Sequence, residues 1–212
     1  DPRIGYLHLR ARGGGDIAGF VRDFYANHDQ QGLIIDVRRN RGGTIASWIN
    51  QTLLRQRWAY WQKPGESAGW NMQQSFRGHL VVLADQLTYS DGETFTAGIR
   101  ALGLGPVVGM RTAGAGVWLS DRNALVDGGG ARVPEYPQFD TQGRWLIEGR
   151  GVAPDIEVDN LPYATGSGGD AQLEAALDLL ERKLREAPIE TPRSESLPPR
   201  AQPGIDQAKP VR

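Results

Sequence analysis

The 212-residue chain has no cysteine, which excludes disulfides, thiol nucleophiles and cysteine-held zinc. Histidine is scarce: His8, His28 and His79 are the only three, and they lie far apart in sequence. No His/Asp/Glu cluster has metal-ligand spacing, and no phosphate-cradling P-loop is present, so no metal and no cofactor are expected. No apolar run approaches the ~20 residues needed to cross a bilayer. Charge of one sign is missing too. Twenty-four basic against twenty-five acidic residues leave a net charge of −1, which gives no electrostatic reason to expect nucleic acid or an anionic membrane as partner. No internal repeat is visible. What remains is the chemistry of hydroxyls, carboxylates and a few histidines.

Strand and helix patterns alternate through about residue 110. An alternating strand over 3–10 leads through Gly13, Gly14 and Gly15 to a helix over 16–28 capped by Asp16. A buried strand over 33–37 leads to a helix over 44–55, and a strand over 80–84 leads to a helix over 91–102, with a further strand at 106–110. Residues 56–77 are an irregular excursion carrying Trp58, Tyr60, Trp61 and Trp70. It has two readings: the wall of a substrate cleft, or packing beneath a long loop or against a neighbouring domain. Residues 117–148 have the turns of a β-hairpin region, and Leu173, Ala176, Leu177, Leu180 and Leu184 give a helix over 170–186. The tail from Ala187 is Pro-rich and polar and is expected to be disordered. The alternation by itself supports a generic α/β layered fold.

Two turns stand out. The apolar run Leu80–Ala84 ends in a polar turn that delivers Ser90 to the start of a helix. There a hydroxyl is accessible and lies beside free backbone N–H groups. Those are the needs of a nucleophilic serine, but a serine that N-caps the helix, with Glu93 completing a capping box, fits the same residues. In the other turn, Gly42-Gly43 stands between a strand and a helix, where it lets backbone approach a ligand or simply makes a tight turn.

Taken in order, Asp36-Val37-Arg38, Asn40 and Gly42-Gly43, then Ala84-Asp85 and Ser90-Asp91-Gly92-Glu93, then Gly151-Val152-Ala153-Pro154-Asp155-Ile156, resemble the catalytic core of the tricorn-type and C-terminal-processing serine peptidases. The resemblance covers about residues 3–160. It implies a sheet core of ββα units, as in the Clp-protease/crotonase-like class, with a β-hairpin region and a C-terminal helix. It implies Ser90 as nucleophile, Glu148 as the residue orienting a histidine, the N–H groups of Gly43 and Asp91 as an oxyanion hole, and Gly42, Gly114, Ala115 and Gly116 along the substrate. C-terminal-processing enzymes use a Ser–Lys dyad. Here Ala115 occupies the lysine position of the turn 112–116, and no lysine lies between Lys63 and Lys183. The tricorn-type branch, with Ser, His and Glu, is the better match.

The base is then the gap. His8 belongs to one face of a strand, His28 to a helix C-terminus, and His79 to the wrong end of the strand leading to Ser90. The resemblance implies a histidine-bearing subdomain and a PDZ-like domain upstream. The chain opens on Asp1 with no initiator methionine and no targeting segment, so it is expected to be one segment of a longer protein. Residues 1–165 are expected to form the peptidase core and 166–186 a helix packing on or next to it, with 187–212 as the tail.

The expected activity is endopeptidase cleavage of peptides or unfolded polypeptides through an acyl-enzyme on Ser90. The alternatives are a peptide-binding descendant without catalysis and a crotonase-like acyl-thioester enzyme. The second is disfavoured because such enzymes need no serine nucleophile. Expected partners are a peptide substrate, upstream domains of the same chain and a homo-oligomer. The location expected is the cytoplasm, or the periplasm if a signal peptide precedes the chain.

Overall fold

The computed structural model describes residues 1–10, 14–63 and 65–194. Part of the expected Gly13–Gly15 turn and the tail beyond residue 194 lie outside the described residues. Five strands form one sheet: β1 (Ile4–His8), β2 (Gly32–Asp36), β5 (His79–Ala84), β6 (Val107–Gly109) and β9 (Ile156–Glu157), adjacent in that order and all parallel. Helices α1 (Gly14–Asn27), α2 (Ala46–Leu53) and α3 (Asp91–Ala101) make the successive crossovers. The strand order advances in one direction, so crossovers of one hand place all three helices on the same face. β3 (Tyr60–Trp61) with β4 (Gly69–Trp70), and β7 (Trp118–Ala124) with β8 (Gly130–Tyr136), form two antiparallel ribbons outside the sheet. The expected α/β class, with a central parallel sheet, is the fold observed.

Strand alternation explains the two cores. Leu33, Ile35 and Val37, with Leu80, Val82 and Ala84, face Phe20, Phe24, Ile49, Leu53, Phe95 and Ile99 of the three helices. The intervening Ile34, Val81 and Leu83 face the opposite way, onto Ala176, Leu179 and Leu180 of α5 (Ala171–Glu186). Both faces of β2 and β5 are covered, and for that reason their sequences are continuous apolar runs.

α5 is fastened as well as packed. Asp170 caps it by accepting from the Leu173 amide at 3.0 Å. The same carboxylate takes two hydrogen bonds from Arg38, at 2.8 and 2.9 Å, while Arg38 also pairs with Asp36 at 2.7 Å and Tyr6 donates to Asp36 at 2.8 Å. Burial pushes the Asp170 carboxyl up, but hydrogen bonds from Arg38, Asn160 and the Leu173 amide outweigh it and hold the group at about 2. Burial, then the Asp36 carboxylate, pushes the Tyr6 hydroxyl up to about 12.

Several elements differ from the sequence expectations. α1 starts at Gly14, which places Asp16 in its first turn rather than at its cap. α2 starts at Ala46 rather than residue 44, because Asp91 holds the Ile45 and Ala46 amides and the preceding residues form a loop. β9 and the short α4 (Pro162–Gly166) lie where no strand or helix is expected. The aromatic excursion joins the end of α2 to the start of β5, and Arg55, Arg57 and Tyr60 bond to Gln73, Ser75 and Arg77 there. Its two ends therefore lie at the N-terminal edge of the sheet, opposite Ser90, which favours the packing reading over the cleft wall. Trp58 is 72 % exposed, and Trp70 is covered by the Arg57 guanidinium 3.5 Å above its ring. Among the described residues no helix is long and apolar enough to cross a membrane.

Candidate active site

The site is assembled from the loops that follow the C-terminal ends of β2 and β5, where ligands bind in open α/β sheets. Ser90 is the N-cap of α3, with φ 55° and ψ −119°. That conformation is strained for any residue with a side chain and costs on the order of 1–3 kcal/mol. It is held from several directions. The Tyr89 amide donates to the Asn40 carbonyl at 2.8 Å, and Thr88 Oγ1 donates to the Val37 carbonyl at 3.0 Å. The Ser90 amide donates to Glu93 Oε2 at 3.0 Å. The Glu93 amide returns to the Ser90 carbonyl at 2.8 Å, and the two residues form a capping box at the start of α3. The capping box read from the sequence is therefore present.

The Gly42-Gly43 loop presses directly on this turn. Buried Asn40 donates to the Leu9 carbonyl and accepts from the Gly42 amide, both at 2.9 Å. Gly42 has φ 92°, and a Cβ there would lie 2.7 Å from Ser90 Cβ and 3.0 Å from Ser90 Oγ. Both the backbone conformation and the space require glycine. Asp91, 5 % exposed, turns its carboxylate onto the Ile45 and Ala46 amides at 2.8 and 3.0 Å. This locks the Gly-Gly loop to the start of α3. The backbone N–H groups of Gly43 and Asp91 donate to no other described residue.

The segment 112–117 lies on the other side. Glu148 is exposed, and its Oε2 accepts from the Gly116 and Val117 amides at 2.8 and 3.0 Å. Glu93, fully buried, accepts from the Gly114 and Ala115 amides at 2.6 and 2.9 Å and from Thr112 Oγ1 at 2.6 Å. The N–H groups of Gly114, Ala115 and Gly116 are therefore all taken by the carboxylates of Glu93 and Glu148. Sequence reasoning placed Glu93 only in a capping box. Its wider role is invisible in sequence because three of its donors lie 19 to 22 residues away.

None of the three histidines reaches Ser90. His8 faces the Arg38 carbonyl at 3.4 Å, His28 the Tyr25 carbonyl at 2.8 Å, and His79 the Ala187 carbonyl at 2.8 Å. Among the described residues no group of three His, Cys, Asp or Glu is placed to hold a metal.

Residues 3–158 match the model of peptidase family S41. The chain belongs to that family. Among relatives of this S41 domain, tricorn protease homolog 1 of Streptomyces coelicolor is 37% identical over 193 residues, which cover 91% of this chain and 18% of that protein. The tricorn protease of Thermoplasma acidophilum is 32% identical over 193 residues, again 91% of this chain and 18% of the relative. The crystal structure of the tricorn protease superposes with a TM-score of 0.81 at 32% identity, covering 86% of this chain and 18% of that one. This S41 domain thus spans under a fifth of the length of these relatives.

Proposed function

We propose that this S41 domain is the nucleophile-bearing half of a serine endopeptidase that cleaves peptides or unfolded polypeptides. Ser90 Oγ attacks the scissile carbonyl as a base removes its proton. The carbonyl oxygen becomes an oxyanion held by the N–H groups of Gly43 and Asp91. Collapse expels the amine, which takes the proton from the protonated base and leaves an acyl-enzyme on Ser90. Water then hydrolyses this ester by the reverse proton path. The base is a histidine from an upstream subdomain, oriented by Glu148 through its Oε1, because Oε2 is already held by two amides. The observation that carries the reading is the strained Ser90 turn, pressed against Gly42 and beside two N–H groups with no other partner among the described residues.

A second reading, a peptide-binding descendant without catalysis, draws on the absence of any described histidine facing Ser90. Fluorophosphonate labelling of the longest natural form of the protein, with the modified peptide located by mass spectrometry, separates the two. Stable modification of Ser90 is the expected result. A folded protein that does not label is a binder, not a peptidase. Rapid labelling of the 212-residue chain alone would assign the base to His8, His28 or His79.

A further inference from the structure

Glu93 carries more than its capping bond explains. A cap needs one hydrogen bond to the Ser90 amide. Glu93 accepts four, shared two to each oxygen: Oε2 from Ser90 and Ala115, and Oε1 from Thr112 and Gly114. The residue is wholly buried, and no cation among the described residues pairs with it. A buried carboxylate is costly unless its lone pairs are filled, and here they are filled by donors from two separate stretches of chain. A single oxygen, Oε2, spans the nucleophile's own amide and the amide of Ala115. The next two amides, of Gly116 and Val117, bind Glu148. Five of the six residues from 112 to 117 therefore divide between two carboxylates, one buried and one exposed, while the Ala113 amide donates to the Thr88 carbonyl at 3.0 Å. The far side of the segment is fixed as well: the Thr112 amide donates to the Val152 carbonyl at 3.1 Å, and the Gly149 amide to the Gly114 carbonyl at 2.9 Å.

We propose that Glu93 is a positioning residue whose carboxylate sets where the 112–117 segment, and through it Glu148, stands relative to Ser90. The proposal rests on the reading of Ser90 and Glu148 as partners in one reaction. A carboxylate suits the task better than an amide, because all four neighbours donate and none accepts. A glutamine of the same size would turn an NH2 group toward two N–H or O–H donors and release part of the segment.

The test is Glu93→Gln in the intact protein. Hydrogen exchange of the 112–117 amides and fluorophosphonate labelling of Ser90 are read on the folded protein. Exchange at Gly116 and Val117, which Glu93 does not touch, is expected to rise about ten-fold or more while β2 and β5 keep their protection. Labelling is expected to slow on the order of 10²-fold. In combination with Glu148→Gln the two losses should not multiply, because one acts through the other. Unchanged exchange at Gly116 and Val117, or fully multiplicative losses, overturns the proposal. If Glu93→Gln does not fold, Thr112→Val removes one of the four donors and leaves the carboxylate in place. It should produce the same changes more weakly, and wild-type exchange at Gly116 and Val117 in that variant also overturns the proposal. A wild-type protein that does not label at all would sink the peptidase reading, while the exchange comparison would still decide the role of Glu93.

Discussion

Two carboxylate-centred networks lie beyond the same ends of the same parallel strands, on opposite faces of the sheet. On the α3 face, Glu93 is satisfied by backbone amides and one hydroxyl. On the α5 face, Asp36 and Asp170 are satisfied chiefly by one guanidinium, that of Arg38. Backbone donors belong to loops that cannot move without unmaking their other bonds, so the first network fixes geometry. A guanidinium rides on a long side chain and can follow small shifts, so the second clamps a helix without specifying a reactive distance. Desolvation is more complete around Glu93, whereas Asp170 keeps 31% of its side chain exposed. The first network should be read in rates and the second in stability.

The sharpest break would come at Ser90. Ser90→Ala should remove turnover and labelling by about 10⁴-fold or more while leaving the folded structure intact. A residual rate near wild type in a peptide-cleavage assay would move the nucleophile elsewhere. Glu148→Gln should lower kcat by about 10³- to 10⁴-fold with much less change in KM. Steady-state kinetics decide this, and a change confined to KM would make Glu148 a binding residue.

Asp170→Asn probes the other network. It should cost about 1–2 kcal/mol of stability, discounted for the exposure of the pair, and leave kcat within about two-fold. Because the folded carboxyl is held at about 2 against an ordinary 3.8, its contribution is complete above about pH 4 and is lost as pH falls toward 2. Urea midpoints of wild type and variant should therefore converge over that interval. At the alkaline end the raised Tyr6 hydroxyl stabilises the fold below about pH 10 and ceases to do so as pH rises through 12. If Asp170→Asn instead slowed catalysis strongly, the division between the two networks would fail. The smallest effect belongs to Trp58→Ser, at the opposite end of the sheet, which should change kcat/KM by less than about two-fold. A large loss there would bring the aromatic excursion back to the substrate.

The strands flanked by helices on both sides were legible as apolar runs, because β2 and β5 are buried on both faces and need no alternation. α5 was legible from its leucine spacing, and the Ser90 turn from its place between a strand and a helix. β9 was not, since two residues completing a sheet edge carry no period of their own. α4 was missed because it buries nothing and begins on a proline that reads as a loop. The late start of α2 depends on a carboxylate 45 residues downstream, and the four-donor role of Glu93 depends on a turn whose amides any residue could have supplied. Patterns of side chains betray burial. Contacts made through backbone N–H groups leave almost no mark in composition.

The backbone of Ser90 has a consequence for history. At φ 55° and ψ −119° a glycine would sit more comfortably than any residue with a Cβ. A lineage that had given up cutting peptides and kept only the fold would have been free to take that exchange and the stability that comes with it. The serine is the one residue of this turn that drift toward stability would erode first, and the chain still carries it.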